Sequence, residues 1–153
     1  MQILEYQMLD ASNLLCCTTI LDADSFTKSL REISELLISN DISRKDTTIY
    51  LSLKNDEPLV IHIYIAIKKK IVYIKDSFWI KERILFVQAV KARYEGELYI
   101  IRDCLSEIMQ YLAKHKLSPI TPFCCKVIAG LEDMKNTHDM IVDIYVGVNG
   151  NIF

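Results

Sequence analysis

The sequence predicts an α+β fold: a tandem β-α-β-β repeat forming an antiparallel sheet, with two helices on one face and a cleft on the other. Three observations point there. Short runs rich in β-branched residues alternate apolar with polar positions, as half-buried strands do. Two segments place apolar residues at steps of three and four, as helices with one buried face do. The order strand, helix, hairpin occurs twice within 153 residues, about the length of one domain.

Taken in chain order, Asn13 to Leu21 reads as a strand, with Leu14, Leu15, Cys16, Cys17, Thr18, Thr19 and Ile20 mostly apolar or β-branched. Asp22 or Asp24 then supplies an oxygen for the free N–H groups at a helix start. Phe26, Leu30, Ile33 and Leu37 form one helix face, and Ser39-Asn40-Asp41 ends it. Runs at Thr48–Leu53 and Leu59–Ile67 make a hairpin across Lys54-Asn55-Asp56-Glu57-Pro58. In the second half, Arg83 to Arg93 reads as a strand. A helix follows Gly96 and runs to about His115, with Ile101, Cys104, Leu105, Ile108 and Leu112 on one face. Leu117-Ser118-Pro119 closes it, because a residue preceding proline is pushed out of the helical region. Phe123–Ile128 and Met140–Val148 form the last pair of strands.

A shift of 75 lays Phe26, Leu30, Ile33 and Leu37 over Ile101, Leu105, Ile108 and Leu112. Beyond the hairpin the shift becomes 81 and lays Ile61–Ile67 over Val142–Val148, with Tyr64 on Tyr145 and His62 on Asp143. The pattern predicts an internal duplication, with one repeat over about 7–67, a second over about 83–148 and a connector at 68–82. Two such units joined through their sheets place both helices on one side. Alternation then turns Ile61, Ile63, Ile65 and Ile67, with Val142, Ile144, Val146 and Val148, toward the helices. It leaves His62, Tyr64 and Ala66, with Asp143, Tyr145 and Gly147, on the opposite face.

Composition excludes more than it identifies. Eighteen Lys and Arg against 20 Asp and Glu give a net charge of −2, which argues against a surface built for nucleic-acid phosphates. Apolar residues make up 51%, enough for a sizeable core, and four Gly with three Pro leave little room for linkers. The N-terminal residues lack a signal-peptide pattern, and no apolar stretch approaches the ~18 residues of a membrane span. Five cysteines, Cys16, Cys17, Cys104, Cys124 and Cys125, have no zinc-ligand spacing and fit a reduced, cytoplasmic protein. His62, His115 and His138 fall on different elements without ligand spacing, so neither a metal nor a cofactor is expected. There is no nucleophile elbow and no Gly-rich phosphate loop.

The segment Tyr94-Glu95-Gly96-Glu97-Leu98-Tyr99 leading into a helix, the exit Leu117-Ser118-Pro119 and the strand Asp143-Ile144-Tyr145-Val146 together resemble the GyrI-like domain. That domain also forms the effector-binding half of several AraC-type and MerR-type transcription regulators. The resemblance is good over about 83–148 and topological over 7–67. It implies a cleft between the halves that takes aromatic, often cationic, small molecules. Asp143 stands where the family has a glutamate, and Gly147 where it has a proline. The two copies are expected to use all of these 153 residues, leaving no segment among them for the regulators' helix-turn-helix domain. The chain is also similar to an uncharacterised group of Firmicute proteins of like length found beside secreted-toxin genes.

The candidate ligand-binding residues are therefore Asp143, Tyr145, His62, Tyr64, Tyr94, Tyr99 and Trp79. A carboxylate in a partly desolvated cleft strengthens a charge pair, and tyrosine and tryptophan faces attract cations. For each, the plainer alternative is a solvated strand residue or ordinary packing. The sequence thus predicts non-enzymatic binding of a small aromatic or cationic ligand. One alternative is a protein-interaction role, as an immunity or accessory factor of a secreted-toxin system, using the 68–82 connector with its Lys68-Lys69-Lys70 and Phe78-Trp79-Ile80, or a sheet edge. A weak hydrolase using Asp143 or His62 is another.

Overall fold

The computed structural model describes residues 1–53, 60–71, 74–131 and 139–149. Its elements are β1 (Ile3–Ile20), α1 (Ala23–Ser39), β2 (Arg44–Leu53), β3 (Val60–Ile67), β4 (Phe78–Gly96), a short 3-10 turn (Leu98–Ile100), α2 (Arg102–Lys114), β5 (Phe123–Ala129) and β6 (Met140–Gly147). The predicted hairpin loop at Lys54-Asn55-Asp56-Glu57-Pro58, and His138, lie outside the described residues.

Both helices begin and end for local reasons. Asp22 caps α1: the Ser25 backbone N–H donates to its Oδ1 at 2.8 Å and the Ser25 hydroxyl to its Oδ2 at 3.1 Å, a contribution of about 1 kcal/mol. At the far end Asp41 takes φ +52°, and Ile42 returns its N–H to the Leu37 carbonyl at 2.8 Å. The end of α2 repeats this, with Lys116 at φ +57° and the Leu117 N–H on the Leu112 carbonyl at 2.9 Å. Such left-handed exits satisfy carbonyls that would otherwise lack partners. Before α2 the chain turns at Gly96, whose φ of +145° few side chains tolerate, and the Tyr94 hydroxyl donates to the Glu97 carbonyl. The helix expected to follow Gly96 directly starts as the 3-10 turn and becomes α-helical at Arg102.

The six strands are antiparallel in the order β1-β3-β2-β5-β6-β4, and β4 pairs with β1 to close a barrel. The two halves meet between β2 and β5. On the helix side, Ile61, Ile63, Ile65 and Ile67 of β3 pack in one core with Val142, Ile144, Val146 and Val148 and the buried faces of both helices. On the opposite side a second cluster holds Tyr50, Tyr64, Ala66, Tyr145, Cys16 and Cys124. The expected alternation of β3 and β6 holds, because a one-residue slip would put a row of isoleucines in water.

The two long strands extend further than the sequence suggests. β1 starts at Ile3 rather than Asn13, and β4 at Phe78 rather than Arg83, so Phe78, Trp79 and Ile80 belong to β4 and not to the connector. The extension of β1 pairs with the predicted part of β4, from Ile3↔Ala92 to Ser12↔Arg83. The extension of β4 pairs with the predicted part of β1, from Leu14↔Lys81 to Cys17↔Phe78. Tyr6 (φ +58°) sits at the register shifts between the two strands. At Asn13 (φ +55°) the face that β1 turns inward changes from Leu9 and Ala11 to Leu14 and Cys16. The Asn13 amide donates to the carbonyls of Ile67 and Lys69 at 2.8 and 3.0 Å, which ties the bend to the end of β3. Leu9, Ala11, Ile84 and Phe86 then lie against the second cluster. The face opposite the helices is thereby more enclosed than two joined sheets alone would leave it, and its interior is filled with side chains, as in other small barrels. Closure also removes the sheet edge that one expectation offered to a partner.

Candidate functional site

The pairing register arranges the barrel's inner face in two cross-strand rows. The first runs Thr18–His62–Ser52–Cys124–Tyr145–Lys91, and the second runs Trp79–Cys16–Tyr64–Tyr50–Lys126–Asp143–Arg93. His62 and Asp143 thus share a face, in adjacent rows and in opposite halves. The structure brings His62, Tyr64 and Trp79 together: the imidazole centroid lies 6.2 Å from the Tyr64 ring and 5.4 Å, edge-on, from Trp79. Thr18 Oγ1 is 2.8 Å from His62 Nδ1.

Asp143 and Tyr145 form the other group. Asp143 is 4% exposed, and Arg93 grips it with Nε on Oδ1 at 2.8 Å and Nη2 on Oδ2 at 3.1 Å. Lys91 Nζ lies 3.8 Å from Oδ2 and 6.0 Å from the Tyr145 centroid, near the outer limit of a cation–π contact. This paired geometry lets a carboxylate be buried at all. Asp143 therefore does not offer an open carboxylate; both of its oxygens already accept from Arg93.

Tyr94 and Tyr99 are not part of this group. They pack against the helix-side core, Tyr94 in step with Val90 and Ala92 on β4. Sequence reasoning missed Tyr50, Lys91, Arg93 and Lys126. Alternation within Thr48–Leu53 carried the signal for Tyr50, since Thr48, Tyr50 and Ser52 face one way.

Burial dominates the electrostatics of the inner face. It pushes the Tyr64 hydroxyl up to about 12, with the Cys16 thiol adding to the rise and a hydrogen bond from Ser52 opposing it. Tyr50 and Tyr145 are raised for the same leading reason. The thiols of Cys16 and Cys124 are pushed up to about 12 by burial, so they stay protonated and unreactive near neutral pH. Among the described residues no three His, Cys, Asp or Glu side chains cluster to hold a metal ion, and no helix is long and apolar enough to cross a membrane.

Comparison with protein-family models gives no match, and neither does comparison with curated proteins. Solved structures do match. The C-terminal domain of EcmrR superposes with a TM-score of 0.72 at 12% identity, over 97% of each chain. The EcmrR chain in its complex with DNA gives 0.69 at 10% identity, over 96% of this chain and 57% of that one. A hydrolase from Listeria innocua gives 0.55 at 10% identity, over 95% of this chain and 93% of its own. At such identities the likeness is one of fold. The chain has the GyrI-like fold.

Proposed function

We propose that this chain binds a small aromatic molecule at the inner face of its barrel, without chemical turnover. The observation that carries the reading is the row Trp79–Cys16–Tyr64–Tyr50, flanked by His62 and Tyr145, on the face away from the helices. Trp79 and the half-buried His62 present aromatic area at the end of this filled interior, with few polar groups to desolvate. The GyrI-like fold, and the resemblance to effector-binding domains, support the same reading. Trp79 is the single tryptophan, 38% exposed, so its fluorescence reports directly on this face. A ligand at 100 times its dissociation constant adds roughly 2.7 kcal/mol to stability. Quenching of Trp79 together with a raised melting temperature, across a panel of naphthyl and quinolyl compounds, is the expected result. A panel that moves neither signal overturns the reading. Hydrolysis of 4-nitrophenyl acetate above the buffer rate, lost in His62→Gln, overturns its non-enzymatic part.

A second reading is a protein-interaction role in the cytoplasm, as an immunity or accessory factor. A groove of about 1090 Å³ between the C-terminal half of α1 and residues 69–71 and 74–78 supports it, with Glu32 and Glu35 on one wall and Lys69, Lys70 and Lys75 on the other. Stoichiometric co-purification of a partner, lost in Lys69→Glu, is its test.

A further inference from the structure

We infer that the ligand of this face is an aromatic anion, a carboxylate or sulfonate carried on a ring, and that Asp143 positions its receptor rather than receiving it. The inference rests on the ligand-binding reading above and deepens it. The end of the inner face nearest Tyr145 carries Lys91, Arg93 and Lys126. The carboxylates near this end are Asp143, whose two oxygens are held by Arg93, and Glu95, which neighbours Arg93 on β4 on the side away from Lys91. Toward Tyr50 there are also Asp46 and Asp10, the second of them held by Arg83. A cation entering here has to displace Arg93 from a two-bond grip and stand beside two lysines. An anion meets an opposite charge already in place.

The Arg93 geometry suits that role. A guanidinium has five donors, and two of them go to Asp143. The other three face away from that carboxylate on a side chain that is 51% exposed. Gripping a buried anchor with one edge holds the guanidinium plane still, so little freedom is lost when a second carboxylate or sulfonate pairs with its other edge. Lys126 stands between Tyr50 and Asp143 in the register, and Lys91 lies beside Tyr145. The charge of the anion therefore meets Arg93 and Lys126, with its ring at the rim of the buried tyrosines.

The test is a matched pair of probes differing in charge alone, 2-naphthoate and trimethyl(2-naphthyl)ammonium, titrated calorimetrically and by Trp79 quenching into the full chain. Naphthoate is expected to bind at least tenfold tighter than the ammonium, and to weaken severalfold between 50 and 500 mM NaCl. Lys126→Gln should reduce naphthoate affinity about fivefold while leaving the unliganded melting curve in place. Lys91→Gln should reduce it similarly with some loss of melting temperature, because Lys91 also lies 3.8 Å from Asp143. Equal or tighter binding of the ammonium overturns this inference and leaves the ligand-binding reading standing. So does naphthoate affinity that neither lysine variant nor salt alters. Binding of neither probe overturns both.

Discussion

The same strand positions carry opposite chemistry in the two halves. In the first, Thr18 hydrogen-bonds His62 and Ser52 stands on its other side. In the second, Arg93 grips Asp143 and Lys126 stands on its other side. Around these positions the halves agree, in their helix exits, their isoleucine and valine faces and their paired tyrosines. The two faces of these strands therefore obey separate constraints. Core-facing positions must stay apolar to hold the register, whereas inner-face positions change freely so long as each polar group finds a partner.

The largest effect expected tests whether the two tyrosines are equivalent. Tyr64→Ala and Tyr145→Ala each delete a ring from the second cluster and should each cost about 3–5 kcal/mol in urea unfolding. A loss below about 1 kcal/mol in one of them would show that only the other is structural. Next comes an exchange of chemistry. His62→Asp places a carboxylate opposite Thr18 and Ser52, with no cation across the strand, and should cost about 1–3 kcal/mol. Adding Thr18→Arg copies the second half's pair and should recover part of that loss; no recovery would mean that the Arg93–Asp143 geometry depends on more than its register.

A subtler contrast appears at alkaline pH. The Tyr64 hydroxyl keeps its proton in the folded chain up to about 12, whereas in the unfolded chain it ionises near 10. Above pH 10 the folded state binds the extra proton, so stability is full below that point and falls as pH rises toward 12. Tyr64→Phe should flatten that part of the curve. The smallest effect belongs to Thr18→Val, which removes the exposed bond to His62 and should cost under about 1 kcal/mol.

Much of this architecture was legible locally. The run Ile61–Ile67 alternates so strictly that only one face can be buried, and Asp22 ahead of an amphipathic stretch announces a helix start. The extent of β1 was not legible, since its first ten residues alternate weakly and become strand by pairing with β4, a partner more than 70 residues away. The inner-face charges were hidden for the same reason. Nothing near Asp143 in sequence indicates Arg93, because only strand pairing brings them together. Tyr94 and Tyr99, expected among the lining aromatics, lie on the helix side; the step of Tyr94 with Val90 and Ala92 was the available clue.

Joining β1 to β4 also sets an order of events during synthesis. Hairpins within each half, and the pairing of the C-terminal part of β1 with β3, can form as soon as their residues emerge. Residues 3–12 of β1 must wait for half the chain before their mate exists. The barrel is sealed by a seam between distant parts of the polypeptide, a contact that searches slowly because a long loop has to close first. Until then Leu9 and Ala11 remain uncovered, and the nascent chain is at its most vulnerable to mispairing just before the second half arrives.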